Sequence, residues 1–279
     1  MATPYRRLLL ASEHSEFDTG AEALALALAR HWALPLAAVM PVVSNPELES
    51  AAPELAARLD EQASTRREAL ETMAAAQQVP IEVSVRRGQE PYAEIVADAR
   101  ERNADLIVIR RRGHRGLLAN LLVGEMVSKV VAHAPCDVLV NGRMVRLWSR
   151  RIVAAVDPGV PDAAVVERAA RVASSFALPL TLVGAVDADD RLPAATLALQ
   201  RTLASAQALG VEVDAQVRVG RAHDVVIESV RRCQGDLIVI GRHGAQRLPR
   251  AWIGGVAQKV LGLAECPVLV CAAAKGPSA

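Results

Sequence analysis

The feature that most constrains the fold of this chain is an internal repeat that runs its whole length. Four segments of the first half recur in the second half, in the same order and at almost constant spacing. The pairs are residues 6–11 (RRLLLA) and 150–155 (RRIVAA), 33–36 and 177–180 (both ALPL), 105–109 and 236–240 (both DLIVI), and 136–140 (CDVLV) and 266–270 (CPVLV). This pattern indicates gene duplication followed by insertions and deletions. We therefore place two domains at residues 1–147 and 148–279, called below the first and second repeats.

Each repeat alternates short apolar runs with longer amphipathic stretches, which is typical of a β-α-β-α fold. The runs are near-continuous in Val, Ile and Leu, as expected of strands covered by helices on both faces. Right-handed crossovers then make each sheet mostly parallel, so the predicted class is α/β, with two tandem doubly wound five-stranded, Rossmann-like domains. In the first repeat we predict strands at residues 8–11, 36–43, 83–86, 106–109 and 138–140, and helices at residues 21–30, 54–77, 92–102 and 123–133.

Composition and charge argue against several functional classes. A net charge of +1 provides no field that would attract nucleic acid or an anionic membrane surface. No apolar run reaches the ~18 residues that a membrane-spanning helix needs, and the apolar stretch near the start is too short for a signal peptide. The six histidines lack metal-ligand spacing, and no nucleophile, base and acid occur together as a catalytic set. The cysteines lack CxxC spacing, which favours reduced thiols in a cytoplasmic protein.

A glycine-rich loop follows the fourth strand of the second repeat. Gly241 and Gly244 come directly after the strand, and Gly254 and Gly255 follow after nine intervening residues, just before a helix. Glycines in these places let the backbone approach an anion closely, and the helix N-terminus supplies N–H donors for phosphate. His243 lies between the first two glycines, where it either touches phosphate or holds a passive loop position. The loop therefore predicts a phosphate site at the end of this strand.

With this loop the chain resembles a tandem universal stress protein. ATP-binding members of that family carry Gly-x2-Gly-x9-Gly-Ser/Thr here, and a later strand that ends in a segment like APCPVLV. The closing segments of this chain are APCDVLV at residues 134–140 and AECPVLV at residues 264–270. The resemblance covers essentially the whole chain, twice. It implies two domains of the adenine nucleotide alpha hydrolase type, related by a pseudo-two-fold axis and paired through their last strands, with further homodimerisation left open.

The resemblance also implies a set of nucleotide-binding residues in the second repeat. The family's first strand ends in an Asp that contacts adenosine, and Asp157 matches it. Ala185 falls where the family often has a valine against the base. The phosphates, accompanied by Mg²⁺, would lie against the loop, at Gly241, His243, Gly244, Gly254 and Gly255.

Departures from the family pattern distinguish the two repeats. Gly255 stands where the family has Ser or Thr, and the lost hydroxyl is expected to weaken ATP binding by roughly one to two powers of ten. In the first repeat Arg110 replaces the first glycine, Glu125 replaces the hydroxyl residue, and Glu13 replaces the strand-end Asp. Ten residues instead of nine precede Gly124. A carboxylate beside phosphates is unfavourable, so we do not expect the first repeat to bind ATP.

Two further side-chain features allow more than one interpretation. The run Arg110, Arg111 and Arg112 is either an anion site or a solvated loop tip, and no aromatic residue interleaves with it as in a platform for single-stranded nucleic acid. Trp252, inside the glycine loop, either caps the pocket or packs at a domain contact, and packing is the favoured interpretation.

Taken together, these features lead to a nucleotide-binding stress-response regulator, with ATP in the second repeat and at most slow hydrolysis. The alternative hypothesis is an interaction scaffold in which both sites have decayed. A nucleotidyl-transfer or ligase enzyme is disfavoured, because no catalytic lysine or histidine motif flanks the glycine loop.

Overall fold

The computed structural model describes residues 3–12, 19–44, 49, 53–111, 124–142, 146–160, 162–243 and 252–272. The chain divides into two compact units. Of the described residues, one unit contains those within 5–111 and 124–147, and the other contains residues 3–4 and those within 148–272.

The described elements of the first repeat alternate between strand and helix. They are β1 (Leu8–Ala11), α1 (Thr19–Trp32), β2 (Leu36–Val43), α2 (Pro53–Ala76), β3 (Ile81–Gly88), α3 (Pro91–Glu101), β4 (Leu106–Arg110), α4 (Glu125–His133) and β5 (Asp137–Asn141).

The second repeat has the same order of elements. They are β6 (Ile152–Ala155), α5 (Ala163–Phe176), β7 (Leu180–Val186), a 3₁₀ turn (Asp189–Arg191), α6 (Leu192–Gln207), β8 (Val213–Val219), α7 (Ala222–Arg232), β9 (Leu237–Gly241), α8 (Gly255–Leu263) and β10 (Val268–Cys271).

Within each repeat the strand order reverses once. The first repeat has the order β3-β2-β1-β4-β5, and the second has β8-β7-β6-β9-β10. The neighbours within each repeat run parallel. The predicted α/β class with mostly parallel sheets is therefore confirmed. The reversal lies between β1 and β4 and between β6 and β9, and the carboxyl ends of such strands border the crevice where this kind of sheet binds ligands.

Burial along the strands follows their place in the sheet. The inner strands β1 and β4 are buried along almost all of their length. In β3, at the end of its sheet, half-buried and exposed residues alternate, because only one of its faces packs well. The predicted strand at residues 83–86 was therefore too short. It rested on continuous apolar character, whereas the ladder with β2 extends over all of Ile81–Gly88.

The helix boundaries differ from prediction by one or two residues, and the largest difference between the repeats lies in one crossover. The second crossover helix, α2, has 24 residues in the first repeat, whereas its counterpart α6 has 16. The predicted helix at 123–133 begins instead at Glu125, since Gly124 adopts non-helical backbone angles as its N-cap. Ala33 and Ala177, from the two ALPL segments, both have left-handed backbone angles, with φ of 53° and 52°. The repeat thus preserves backbone geometry as well as sequence.

The Asp that begins each DLIVI segment ties two chain segments together at the amino end of the sheet. Asp105 accepts hydrogen bonds from the backbone N–H groups of Arg6 and Arg7 at 2.7 and 2.9 Å. Asp236 accepts equivalent bonds from Ser149 and neighbouring residues. These carboxylates satisfy backbone donors just before β1 and β6 and therefore belong to the fold.

Two further observations concern the chain as a whole. Among the described helices, none combines the length and the apolar character that crossing a membrane requires. Free thiols occur at Cys136, Cys233, Cys266 and Cys271.

Candidate functional site

The strand reversal in the second repeat brings the predicted site residues to one edge of the sheet. β6 pairs with β9 in a register that places Ala155 opposite Ile240. Asp157 therefore follows β6 at the same edge where Gly241 ends β9. Gly254 and Gly255 lie at the start of α8, which is joined to this edge by a backbone hydrogen bond described below.

Asp157 lies in a tight turn at the end of β6. Its side chain is exposed, and its Oδ1 atom accepts the N–H of Gly159 at 2.9 Å. The turn packs against β7, because a Cβ atom at Gly184 would lie 2.6 Å from the ring of Pro158. Ala185 follows that glycine in β7 and is half-buried. The turn thus holds the Asp157 carboxylate at the carboxyl edge, two residues beyond the strand.

Close packing at the end of β9 favours glycine at position 241. A Cβ atom there would lie 3.1 Å from the carbonyl oxygen of His243 and 3.2 Å from Cγ2 of Val165 on α5. Asp162, which caps α5 by accepting the N–H of Ala164, would lie 3.9 Å away. The first glycine of the loop therefore lets the chain turn back beside the start of α5.

Backbone hydrogen bonds connect the two ends of the loop. Arg242 donates its N–H to the carbonyl of Cys271 in β10 at 2.9 Å, and its own carbonyl accepts the N–H of Gly254 at 2.9 Å. The last strand and the start of α8 are thereby fixed to the end of β9. Gly244 lies outside the described residues.

The N-terminus of α8 has the features of an anion site. Gly254 is the N-cap with φ −59° and ψ 142°, Gly255 is the first helical residue, and no side chain caps this described end. A Cβ atom at Gly255 would meet nothing within 4 Å. The first-turn N–H groups and the helix dipole favour a negative group at such an end. The open space means that a small side chain at Gly255 would fit without rearrangement.

Two basic side chains follow Gly241 directly. Arg242 is only 8% exposed, and His243 is half-buried. The Nδ1 atom of His243 is buried and has no hydrogen-bond partner in the part of the chain that the structure describes. Burial, and then the charge of Arg242, lower the pKa of His243. The loop thus begins with one buried cation and one imidazole whose charged form is disfavoured.

Trp252 contradicts its predicted role. Packing at a domain contact was the favoured interpretation, but Trp252 is 65% exposed. Because it lies two residues before Gly254 at the start of α8, its exposed indole lies near the candidate phosphate site.

The first repeat has different side chains at the corresponding edge. Arg110 ends β4 where Gly241 ends β9, and Arg111 donates its N–H to Asn141 at 2.7 Å, as Arg242 does to Cys271. Glu125 begins α4 and forms an ion pair with Lys129 at 3.0 Å. The backbone is therefore conserved while the glycine and hydroxyl positions carry long charged side chains. Glu13 and residues 112–115 lie outside the described residues.

A buried polar network in the first repeat was not predicted from the sequence. Ser12 donates from Oγ to Oε1 of Glu22 at 2.8 Å, and Arg66 of α2 forms an ion pair with the same oxygen. Ser12 and Glu22 are both fully buried. The second repeat has Val156 and Val166 at the matching positions, both of them buried. Alignment of the two repeats could have revealed this network, because Glu22 is charged where the second repeat has the apolar Val166.

Comparison with known proteins identifies the family. The sequence profile of the universal stress protein family matches residues 4–141 and 149–272. A universal stress protein of Methanocaldococcus jannaschii is 34% identical over 73 residues, which are 26% of this chain and 43% of that protein. A universal stress protein A-like protein of Arabidopsis thaliana is 33% identical over 61 residues, 22% of this chain and 35% of that protein. The chain thus spans less than half the length of these curated relatives.

A solved structure extends the likeness to the whole chain. The crystal structure of a universal stress protein from Archaeoglobus fulgidus DSM 4304 has a TM-score of 0.73 and 17% identity, and covers 97% of each chain. At this identity the likeness establishes the fold alone. Together with the two profile matches, it leads to one conclusion: the chain belongs to the universal stress protein family and carries two copies of the family's domain.

Proposed function

We propose that this protein is a cytoplasmic stress-response regulator that binds ATP in its second repeat. The observation that carries the proposal is the convergence of Asp157, Gly241 and the uncapped start of α8 at the strand reversal. A turn, a close-packed glycine and a free helix end are the parts that a phosphorylated nucleoside needs. The chemistry proposed is binding, with hydrolysis at most slow.

Each proposed site residue has a part in binding. The exposed Asp157 carboxylate accepts hydrogen bonds from the ribose hydroxyls, and Ala185 supplies apolar surface for the base. The phosphates lie at the first turn of α8, where backbone N–H groups donate to their oxygens. This places them against Gly241, His243, Gly244, Gly254 and Gly255.

Mg²⁺ is proposed to arrive with the nucleotide. The described residues contain no group of three or more His, Cys, Asp or Glu side chains that would hold a metal ion. Mg²⁺ commonly binds substrate phosphates and water with only one or two carboxylates, which suits a site of this composition.

The first repeat supports a different role. Arg110 and Glu125 occupy the positions of a glycine and of a phosphate-binding hydroxyl, and the Glu125 carboxylate at the start of α4 would repel phosphate. We therefore propose that residues 148–279 bind the nucleotide and that residues 1–147 are their structural partner. The second candidate function is a scaffold that binds no nucleotide. It requires that the second repeat, like the first, has lost its affinity for ATP.

Calorimetric titration of nucleotide-free protein with MgATP tests the proposal. We expect one site per chain, with affinity tighter than millimolar. The sharpest variant is Gly255→Glu, which imports the first repeat's residue into space that is open. Its matched control is Gly255→Gln, which has the same shape without the charge. A carboxylate near the phosphates should cost about 1–3 kcal/mol, or roughly tenfold to hundredfold in affinity.

Binding weaker than millimolar in the unmodified protein would favour the scaffold. Equal affinity for the Glu and Gln variants would instead contradict the proposed position of the phosphates, because a ligand that is insensitive to charge at the start of α8 has no phosphate there. Retained helical circular dichroism in both variants keeps the comparison independent of folding.

A further inference from the structure

A lysine in the last helix of the first repeat holds two carboxylates. The Nζ atom of Lys129 in α4 is 3.0 Å from Oε1 of Glu125 and 3.3 Å from Oε1 of Glu90. It also lies 5.0 Å from the centre of the Tyr92 ring. Glu125 is the first residue of α4, and Glu90 is the N-cap of α3. The first repeat therefore binds anionic oxygens between the starts of these two helices.

The second repeat keeps this lysine and lacks its acidic partners. Lys259 is the fifth residue of α8, as its counterpart is of α4, but the first residue of α8 is Gly255 instead of Glu125. The N-cap of α7 is Arg221, where α3 has Glu90. One carboxylate is thus replaced by open space and the other by a second cation.

The backbone around the lysine is the same in both repeats. Gly124 and Gly254 are the N-caps of α4 and α8, with φ of −53° and −59° and ψ of 143° and 142°. α3 packs against α4, and α7 packs against α8. Side chains on a helix also point back toward its N-terminus. Lys259 can therefore reach the place that corresponds to the Glu125 carboxylate, beside the start of α7.

Both cations lack a counter-charge in the part of the chain that the structure describes. Arg221 and Lys259 are exposed, and neither forms an ion pair with a described residue. The acid in the first turn of α7, Asp224, lies 3.6 Å from Nε2 of His223. A cation at a helix N-terminus is unfavourable, because that end of the helix dipole is positive. An anion between Arg221 and Lys259 would relieve both the dipole and the repulsion between the two cations.

We propose that Arg221 and Lys259 form a site for a phosphoryl anion between the starts of α7 and α8. The anion takes the place that the carboxylates of Glu90 and Glu125 occupy in the first repeat. The first repeat thus carries its own anionic oxygens, whereas the second repeat takes them from solution. Phosphoryl oxygens suit this place because they accept hydrogen bonds from both side chains and from first-turn N–H groups of α8.

This site goes beyond the proposed ATP site, because Arg221 and Lys259 both lie outside the glycine loop. Two sources supply the same chemistry. One is a free inorganic polyphosphate, and the other is the terminal phosphates of a nucleotide bound at the start of α8.

Calorimetric titration with inorganic tripolyphosphate, ATP and AMP at constant ionic strength tests the site. The variants are Lys259→Gln and Arg221→Gln, and the matched control is Arg201→Gln, which removes the same charge from an exposed position on α6. We expect each site variant to weaken tripolyphosphate binding about threefold to tenfold, because an exposed charge-assisted contact is lost, and the control to leave it unchanged. A fall in ATP affinity by the same factor with unchanged AMP affinity identifies the terminal phosphates of the nucleotide as the anion. Unchanged ATP affinity identifies a free polyphosphate.

The outcomes separate this site from the proposed function. If both site variants bind tripolyphosphate and ATP as the control does, or if the unmodified protein binds neither, the inference is wrong. If tripolyphosphate binding depends on the two cations while ATP does not bind, the anion site remains and the proposed function fails. If ATP binds equally to all variants and tripolyphosphate does not bind, the proposed function remains and the inference fails.

A graft into the first repeat provides an independent measurement. The double variant Glu90→Arg, Glu125→Gly gives the first repeat the residues of the second beside Lys129. We expect it to bind a second tripolyphosphate per chain, whereas Glu90→Gln, Glu125→Gly should bind the second one at least threefold more weakly. Unchanged stoichiometry in the graft would contradict the equivalence of the bound anion with these carboxylates.

Discussion

Replacing Arg66 with methionine should destabilise the first repeat far more than its position on a partly exposed helix would indicate. The guanidinium is 18% exposed, whereas the Glu22 side chain that it pairs with is 0% exposed. Removing the cation leaves a carboxylate that has no access to water and only the hydroxyl of Ser12 as a described hydrogen-bond donor. Breaking a buried ion pair from one side costs about 3–5 kcal/mol, and we expect a loss in this range for Arg66→Met.

The same network should be replaceable as a whole. The triple variant Ser12→Ala, Glu22→Val, Arg66→Met removes every charge and introduces the valine that the second repeat has at Val166. Replacing a complete buried ion pair by apolar residues of similar volume is often neutral or stabilising. We therefore expect the triple variant to recover most of the stability that the single variant loses, ending within about 1 kcal/mol of the unmodified protein.

Urea unfolding at constant pH measures both quantities. When Trp148 and Trp252 are replaced by phenylalanine in every variant, tryptophan fluorescence reports on the first repeat alone, because Trp32 is buried against Tyr5 with ring centroids 5.6 Å apart. Free energies from the linear extrapolation are compared between the single and triple variants. Equal destabilisation of the two variants would refute the reasoning, because the loss would then come from packing rather than from an isolated charge.

Three further predictions concern the second repeat. Gly255→Ser should bind MgATP roughly tenfold to hundredfold more tightly, because the hydroxyl adds a donor to phosphate in open space; the Gly255→Ala control should not, and equal affinities would contradict the assigned position of the phosphates. Asp157→Asn should weaken binding about threefold to tenfold while its amide oxygen still accepts the N–H of Gly159; an unchanged calorimetric affinity would remove Asp157 from the site. Burial raises the pKa of the Cys266 thiol to about 12, so about one thiol in ten thousand is ionised at pH 8. Mass spectrometry should therefore find Cys266 unlabelled by iodoacetamide in the folded protein and labelled in urea. Rapid labelling of the folded protein would contradict this.

The sequence predicted an element well when its burial is visible in a continuous run of neighbouring residues. β4 was predicted almost to its ends because its residues are buried on both faces and read as one apolar run. The edge strand β3 was underestimated, since its alternating exposure resembles a loop when only continuous apolar character is sought. The exposure of Trp252 was missed for a related reason: large aromatic side chains are usually packed, and nothing adjacent in the sequence indicates otherwise.

The buried polar groups were the least predictable part. The partners Glu22 and Arg66 are 44 residues apart and lie on different helices, α1 and α2, so only the folded chain brings them together. The burial of Nδ1 in His243 likewise depends on elements that meet only in the fold. By contrast, the difference between Arg110 and Gly241 was visible in the sequence, because the repeat supplies an internal reference for each position.

The backbone hydrogen bond between Arg242 and Gly254 closes the loop without using any of its side chains. Neither atom belongs to a side chain, so the ends of the loop meet whatever residues lie between them. Closure entropy grows only with the logarithm of length, and one added residue in a loop of about ten changes it by less than about 0.1 kcal/mol. A duplicated domain can therefore acquire a longer loop of different composition, as the first repeat has, at almost no cost to its strands and helices. The residues that determine which ligand binds can therefore change after duplication, because the bond that closes the loop does not depend on their side chains.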